Sequence, residues 1–298
     1  MRVTFQSQFR DTSAGIESAT QRIIDAQRQV TTGKKLSKPS DDPIGASNAV
    51  AERNSIAASE QYMSTAEGVA SRLSVVDTVL DDVMEKLTRA QAVAMAGRGS
   101  PTTQVQRDAA AEELRGIKQA LLDDLNTRFQ GTYVFSGANS QTQPYTVGGG
   151  GVVGAYAGST TELAVDIGDG RSVTMAFDGS DIAQGSDPQH LFDELDDLIT
   201  AVSAGNEAGV TSGMQALQRA FTRATGAQSS LGNDMHEIDT QKLRLQQMKQ
   251  SGNERLSKLE EANMAEAITN MSHAEAAYEA ALGAAARATR VSLLDYLK

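Results

Sequence analysis

The sequence predicts a mainly α protein with a small β insertion, built as a long helical bundle whose N- and C-terminal helices pair as a coiled coil. Three observations carry this. Apolar residues near both ends recur at alternating four- and three-residue steps, the spacing of a narrow helical seam. Glycine and short strand-like runs concentrate in one internal stretch, residues 131–188. Aromatic residues are scarce, with six Tyr, seven Phe and no Trp in 298 residues, which favours long helices with thin seams over one thick core.

The first helix carries Phe5, Phe9, Thr12, Ile16, Ala19, Ile23, Ala26 and Val30 on one stripe that needs a partner helix. Gly33 can take the left-handed conformation that ends a helix, and Lys34 and Lys35 suit the negative end of its dipole, so the helix stops near Thr32. A turn follows over Leu36 to Asp42. Pro43 then sits at the first position of a new helix, where proline is tolerated, with Ser40 or Asp42 as N-cap. Helical pattern continues to about Ala96, and Val69, Leu73, Val76, Leu80, Val83, Leu87, Ala90 and Ala94 repeat the seam spacing. About 50 residues rising ~1.5 Å each make a helix of about 75 Å. Gly97, Gly99 and Pro101 end it, and a third helix from about Thr103 to Phe129 carries Leu114, Ile117, Leu121 and Leu125. Long helices joined by tight turns form a bundle.

The β insertion begins at Gly131. Its strand-like runs are Thr132 to Phe135, Leu163 to Ile167 and Val173 to Phe177, separated by Gly-Asp and Asp-Gly turns. Helical pattern resumes with Leu191, Leu195, Leu198 and Val202, and after Gly205 runs to the C-terminus with weak interruptions at Gly226, Gly232 and Gly252. The last helix shows Met264, Ala267, Met271, Ala274, Tyr278, Ala281, Ala285 and Ala288, a second seam. The expected division is a terminal coiled-coil domain (residues 1–40 and 262–298), a helical rod domain (41–130 and 189–261) and a β-rich insertion domain (131–188).

The terminal segments are complementary in charge. Residues 1–35 hold six basic and three acidic side chains, and residues 259–298 hold six acidic and three basic. Exposed ion pairs give only ~0.2–1 kcal/mol each, so these charges would set register and partner choice more than strength. An alanine-rich seam buries little surface to offset ordering entropy, which predicts arms poorly ordered in a free monomer. On pattern alone the stripe from Phe5 to Val30 suits the face of an intramolecular bundle and an intersubunit seam equally.

A net charge of -11 argues against a nucleic-acid or anionic-membrane partner, since both need a basic surface. With no cysteine there is neither a disulfide framework nor a thiolate metal site. Residues 1–10 lack the apolar core of a secretory signal peptide, and no run approaches a membrane span. Export, if it occurs, would read an uncleaved terminus.

Catalytic and cofactor signals are weak. Gly149 to Gly154 formally fits GxGxxG, yet no strand precedes it and no helix follows, so a flexible loop is expected. No nucleophile elbow, Walker A or HExxH run occurs. His190, His236 and His273 are scattered singly and expected as solvated surface residues. Asp166, Asp169, Asp178 and Asp181 lack EF-hand spacing and read as turn aspartates rather than a calcium site. Met264 and Met271 read as core filler, and Asp193 to Asp197 as a solvated face near a helix N-terminus. No enzyme activity, cofactor or metal is expected.

Two segments carry a family resemblance. Thr32-Gly33-Lys34-Lys35-Leu36-Ser37-Lys38-Pro39-Ser40-Asp41-Asp42-Pro43-Ile44-Gly45-Ala46 resembles the flagellin-family N-terminal signature, in which a helix stops at Gly, a basic turn follows and Asp-Asp opens the next helix. Its motif residues are Gly33, Asp41, Asp42, Pro43 and Gly45. Ala274 to Leu282, running on to Ser292-Leu293-Leu294-Asp295-Tyr296-Leu297, resembles the family's C-terminal helix. Within the family, Pro43 after Asp-Asp, the run Thr132 to Gly137 and the Ser-Leu-Leu-Asp-Tyr-Leu ending are similar to the members that join hook to filament.

The resemblance implies a flagellin-like fold and a structural role. A ring of subunits would sit at the distal end of the hook, after another hook-associated protein, and present a surface on which flagellin begins its filament. The terminal helices would assemble through Phe5, Phe9, Ile16, Ile23 and Val30 with Met264, Met271, Tyr278, Ala285, Leu293, Leu294 and Leu297. The bundle would form the next shell and the β insertion the outer surface. Export through the flagellar type III channel, a cytoplasmic chaperone for the C-terminal arm and an extracellular location are likewise implied. The rival readings are flagellin itself, the filament subunit, and a signalling coiled coil, against which the β insertion argues.

Overall fold

The computed structural model describes residues 5–36, 38–98 and 102–296, with the backbone alone for residues 5–9 and 288–296. The chain is mainly helical with two small antiparallel sheets. In order, the elements are α1 (Phe5–Thr32), α2 (Pro43–Ala96), α3 (Gln104–Leu125), β1 (Arg128–Phe129), β2 (Thr132–Tyr133), β3 (Leu163–Gly168), β4 (Arg171–Ala176), α4 (Gly179–Ala183), α5 (Leu191–Ala204), α6 (Glu207–Glu260) and α7 (Met264–Tyr296). They form two compact units, one of residues 1–58 and 247–298, the other of residues 59–246.

The core of the second unit follows the predicted seams. All eight residues from Val69 to Ala94 in the α2 stripe are buried, as are Leu114, Leu121 and Leu125 of α3, and Leu191, Leu195, Leu198 and Val202 of α5. Polar rims hold the helices in register: Lys86 Nζ lies 2.8 Å from Asp124 between α2 and α3, and Lys118 Nζ 2.6 Å from Asp196 between α3 and α5. Between α2 and α6, the Gln228 amide donates to Asp77 at 3.1 Å and to Asp81 at 2.6 Å. Thr103 and Gln106 form a reciprocal capping box that starts α3.

Three local expectations are corrected. The third helix stops at Leu125 rather than Phe129, because Asn126 caps it and Arg128–Phe129 turn back as β1 to pair with β2. Gln130 (φ 49°) and Gly131 (φ 83°) supply the positive dihedrals of that tight hairpin. The α6 helix passes through Gly226, Gly232 and Gly252 without a break, so packing outweighs their low propensity. His190 is not a solvated residue: its Nδ1 accepts from the Asp193 N–H at 3.3 Å as the N-cap of α5, with its ring beside Tyr145 and Phe192.

The Asp193 to Asp197 run is also mixed rather than wholly solvated, since Glu194 is buried and bonded by Arg219 at 2.7 Å. Burial pushes the Glu194 carboxyl up despite that arginine. The β region is tied down by its aromatics and by Arg72. Tyr145 packs 5.2 Å from Phe192, and its hydroxyl donates to the Gly179 carbonyl at 3.3 Å. Arg72, only 7% exposed, donates to the carbonyls of Met175 and Tyr133 and to the Thr132 hydroxyl at 2.8 to 2.9 Å.

Candidate assembly interface

The first unit brings the two ends of the sequence together. α1 packs along α7, and the two run antiparallel because the residue after the end of α1 bonds to the residues before the start of α7. Gly33 (φ 67°) ends α1 with its N–H on the Gln29 carbonyl at 2.9 Å. A short two-stranded bridge follows, in which Lys35 N–H donates to the Glu260 carbonyl at 2.6 Å and Ala262 N–H to the Gly33 carbonyl at 2.9 Å. Asn263 then caps α7, its side-chain oxygen accepting from the Ala265 N–H at 3.1 Å.

The bridge between Lys34 and Glu261 sets the register. With equal rise along both helices, Ile23 stands level with Met271, Ile16 with Tyr278 and Phe9 with Ala285, each to within one residue. The deepest burial belongs to small residues, Ala19 and Ala26 on α1 and Ala267 and Ala274 on α7. Ile16, Ile23, Val30, Met271, Tyr278 and Ala285 are half-buried beside them. Met264 is exposed rather than core filler, because it occupies the first turn of α7 off the packed row. Phe5 and Phe9 lie in the first turns of α1, Leu293 and Leu294 in the last turns of α7, and Leu297 is outside the described residues.

The turn motif has a physical basis at each position. The Asp41 carboxylate accepts from the Lys38 N–H at 2.9 Å, folding the turn back on itself. Asp42, not Ser40, is the N-cap: its Oδ1 accepts from the Gly45 N–H at 2.9 Å, three residues on. Pro43 opens α2 where its missing N–H costs nothing. A Cβ at Gly45 would run into the Asp42 carboxylate and stand 3.2 Å from Leu36 Cδ1, so the cap and the glycine require each other.

Glu260, 6% exposed, closes the corner. Its carboxylate pairs with Lys34 Nζ at 3.1 Å and with the Arg53 guanidinium. Burial alone would push this carboxyl up, but the hydrogen bonds from Arg53 and Lys34 outweigh it and hold it below the usual range. Nearby, Arg255 grips Glu52 through two bonds of 2.7 and 3.0 Å, and Gly252 lets α6 approach Ile56 of α2. Sequence reasoning counted Glu260 among the acids set against the basic first segment without pairing it to Lys34, and missed Arg53 and Asn263. The Asn263 cap was readable as Asn three residues before Glu266, whereas the partners of Glu260 are remote in sequence.

Among the described residues no group of three or more His, Cys, Asp or Glu could hold a metal ion, and no helix is long and apolar enough to cross a membrane. Asp166 and Asp169 belong to the β3–β4 hairpin, and Asp178 caps α4 through the Ser180 N–H at 2.8 Å.

The sequence matches the family model of the bacterial flagellin N-terminal helical region over residues 6–140, and that of the C-terminal helical region over residues 214–297. The chain belongs to the flagellin family. It is 26% identical over 264 residues to flagellar hook-associated protein 3 of Salmonella typhimurium, an alignment covering 80% of this chain and 82% of that one. The protein of the same description from Escherichia coli is 26% identical over 274 residues, with 86% and 84% covered. The crystal structure of FlgL from Xanthomonas campestris shares the fold with a TM-score of 0.62 at 16% identity, covering 69% of this chain and 99% of that one. Membership of the flagellin family gives the chain a structural rather than enzymatic part in the external flagellum. The matched regions of this flagellin-family chain take in α1 at one end and α7 at the other.

Proposed function

We propose that the chain is the subunit that joins the hook to the filament and gives flagellin the surface on which its filament starts. The observation that carries this is the likeness to hook-associated protein 3 over four-fifths or more of both chains. In this reading copies of the chain form a ring, with another hook-associated protein on the hook side and flagellin on the filament side. Assembly runs through the terminal helices, by way of the Phe5 to Val30 stripe, the Met264 to Ala285 stripe and the Leu293, Leu294 and Leu297 ending. The turn motif Gly33, Asp41, Asp42, Pro43 and Gly45 fixes the passage from α1 into α2. The terminal, rod and β-rich domains divide at residues 40, 130, 188 and 261. A cytoplasmic export chaperone holds the C-terminal arm, and the chain leaves the cell without losing a signal peptide.

The test is deletion of the gene in its source bacterium, with cells imaged for filaments and the medium assayed for flagellin. Hooks without filaments, with monomeric flagellin accumulating outside, are expected. Intact filaments would remove the junction role. Loss of filaments with no flagellin outside, despite expression of a separate flagellin gene, would point to export or regulation instead. The filament-subunit reading predicts thousands of copies per flagellum where the junction reading predicts a few. Quantitative mass spectrometry of sheared flagella separates the two.

A further inference from the structure

We infer that the groove between α5 and α6 is a binding site for a small primary alkylammonium ion, held between the carboxylates of Glu194 and Asp197. The groove holds about 470 Å³ and is walled by Glu194, Asp197 and Ala201 of α5 and by Gly213, Ala216 and Arg219 of α6. That volume is in the range of small-molecule sites. It exists because the two helices meet through glycine. A Cβ at Gly209 would stand 2.8 Å from the Ala201 Cβ, and one at Gly213 would stand 2.9 Å from the Leu198 Cβ. Ala201, Gly213 and Ala216 are buried and form a floor too short to fill the space above it, whereas Asp197 and Arg219 stand exposed at the rim.

The charges around this groove do not balance. Asp187, Glu194 and Asp197 are set against Arg219 and Arg223, so three carboxylates share two guanidinium groups. Both arginines are committed to Asp187: Arg219 Nε donates to its two oxygens at 3.1 and 3.0 Å, and Arg223 Nη1 donates to one of them at 2.5 Å. Glu194 receives one bond, from Arg219 Nη2 to Oε1 at 2.7 Å. Its Oε2 is buried with no hydrogen-bond partner, in a residue only 7% exposed. A buried carboxylate oxygen left unpaired is costly, and burial pushes this carboxyl up in spite of the arginine. Asp197, one turn along the same face of α5, accepts from the Gln189 amide at 3.5 Å, and among the described residues no Lys or Arg pairs with it.

One compact cation with several N–H donors meets both needs. A primary ammonium carries three donors on a point charge, so it serves Glu194 Oε2 and Asp197 together. Its short alkyl chain lies on the methyl groups of Ala201 and Ala216. The Glu194 carboxylate hangs on one bond and its terminal torsion is soft, which lets Oε2 turn toward the groove. An anion would meet an excess of negative charge. A metal ion lacks its ligands, since among the described residues no group of three or more His, Cys, Asp or Glu could hold one.

The test is titration of the isotope-labelled full-length protein with n-butylammonium chloride at constant ionic strength, read by amide chemical shifts. Tetramethylammonium, a cation without N–H donors, is the control. Saturable shifts over residues 194–201 and 212–219 with n-butylammonium, and none there with tetramethylammonium, are expected. Glu194→Gln and Asp197→Asn should each raise the dissociation constant by about tenfold, the loss of one charged hydrogen bond. Asp197 is exposed, so its variant keeps the fold whatever becomes of Glu194→Gln. Shifts that both cations produce, or that grow without saturating, would reduce the effect to ionic screening and overturn the inference. Saturable binding left unchanged by Asp197→Asn would overturn it too, because the ammonium would then sit elsewhere.

Discussion

The Arg72 guanidinium lies buried with its NH2 group on the Tyr133 carbonyl at 2.9 Å, joining a helix to a strand 61 residues further along the chain. Its other nitrogens reach Met175 and Thr132, so one side chain fastens both small sheets to α2. Desolvation pulls its pKa below the usual arginine range, yet it carries the fork geometry that three separate acceptors need. Replacing Arg72 by Met should destabilise the second unit by about 3 kcal/mol, because buried carbonyls lose charged donors that a thioether cannot replace. Arg72→Lys should recover only part of this, since a point charge cannot serve the three sites together. Urea titration checks the magnitude, and hydrogen exchange should show the loss concentrated in residues 132–135 and 172–177. A change below about 0.5 kcal/mol, the range of ordinary surface substitutions, would rule out the fastening role.

Asp42 and Gly45 should behave as a coupled pair. Asp42→Ala is expected to cost about 1 kcal/mol through loss of the N-cap, and Asp42→Asn much less. Gly45→Ala should be costly beside the native carboxylate and considerably milder in the Asp42→Ala background, because the crowding group is then gone. A double-mutant cycle by thermal or urea unfolding measures the coupling. Simple additivity would mean that the cap geometry has been misassigned.

Three glycines within α6 should give opposite answers to one substitution. A methyl group added at Gly226 or Gly232 would meet no neighbour within 4 Å, so Ala at either should stabilise by about 0.5 to 1 kcal/mol through helix propensity. At Gly252 a Cβ would stand 2.9 Å from Ile56 Cγ1, and the displacement of a packed side chain should cancel or reverse the gain. Melting temperatures of the three variants decide it; a similar gain at all three would remove the close-packing role of Gly252.

Acid should weaken the first unit through Glu260. The folded carboxyl lies below its unfolded value of 4.5, so its contribution is fully present above that pH and is lost as pH falls through the lower folded value. Glu260→Gln should therefore reduce stability at neutral pH and flatten the acid limb of the curve. Urea midpoints measured from pH 7 down to pH 3 test this. An acid limb of unchanged slope in Glu260→Gln would assign the titration to another group.

Much of this organisation was legible because it is local. The α2 stripe is a period, the stop at Gly33 and the start at Pro43 are single-residue conformational preferences, and each was readable without knowing any partner. The extra strand at Arg128–Phe129 was hidden by a helical pattern running up to it, and only the Gln130–Gly131 turn explains why the chain reverses there. At the candidate interface, the four-three spacing placed Ala19, Ala26, Ala267 and Ala274 on the two seams, and the closest packing falls on them, whereas the large residues singled out as contacts, such as Ile16, Ile23 and Met271, are only half-buried. The partners of Arg72 and Glu260 lay beyond reach for a different reason. These are set by tertiary approach, and an isolated Arg or Glu in a helix reads as surface until that approach is known.

The bridge beside Gly33 also dictates an order of events. Lys34 and Glu260 are 226 residues apart, so their contact closes nearly the whole chain into one loop. The entropy of such a closure is charged before the contact returns anything, and it is somewhat smaller once the intervening chain has folded and shortened the effective loop. Docking of the first helix on the last is accordingly expected late in folding, because it joins segments from opposite ends of the sequence.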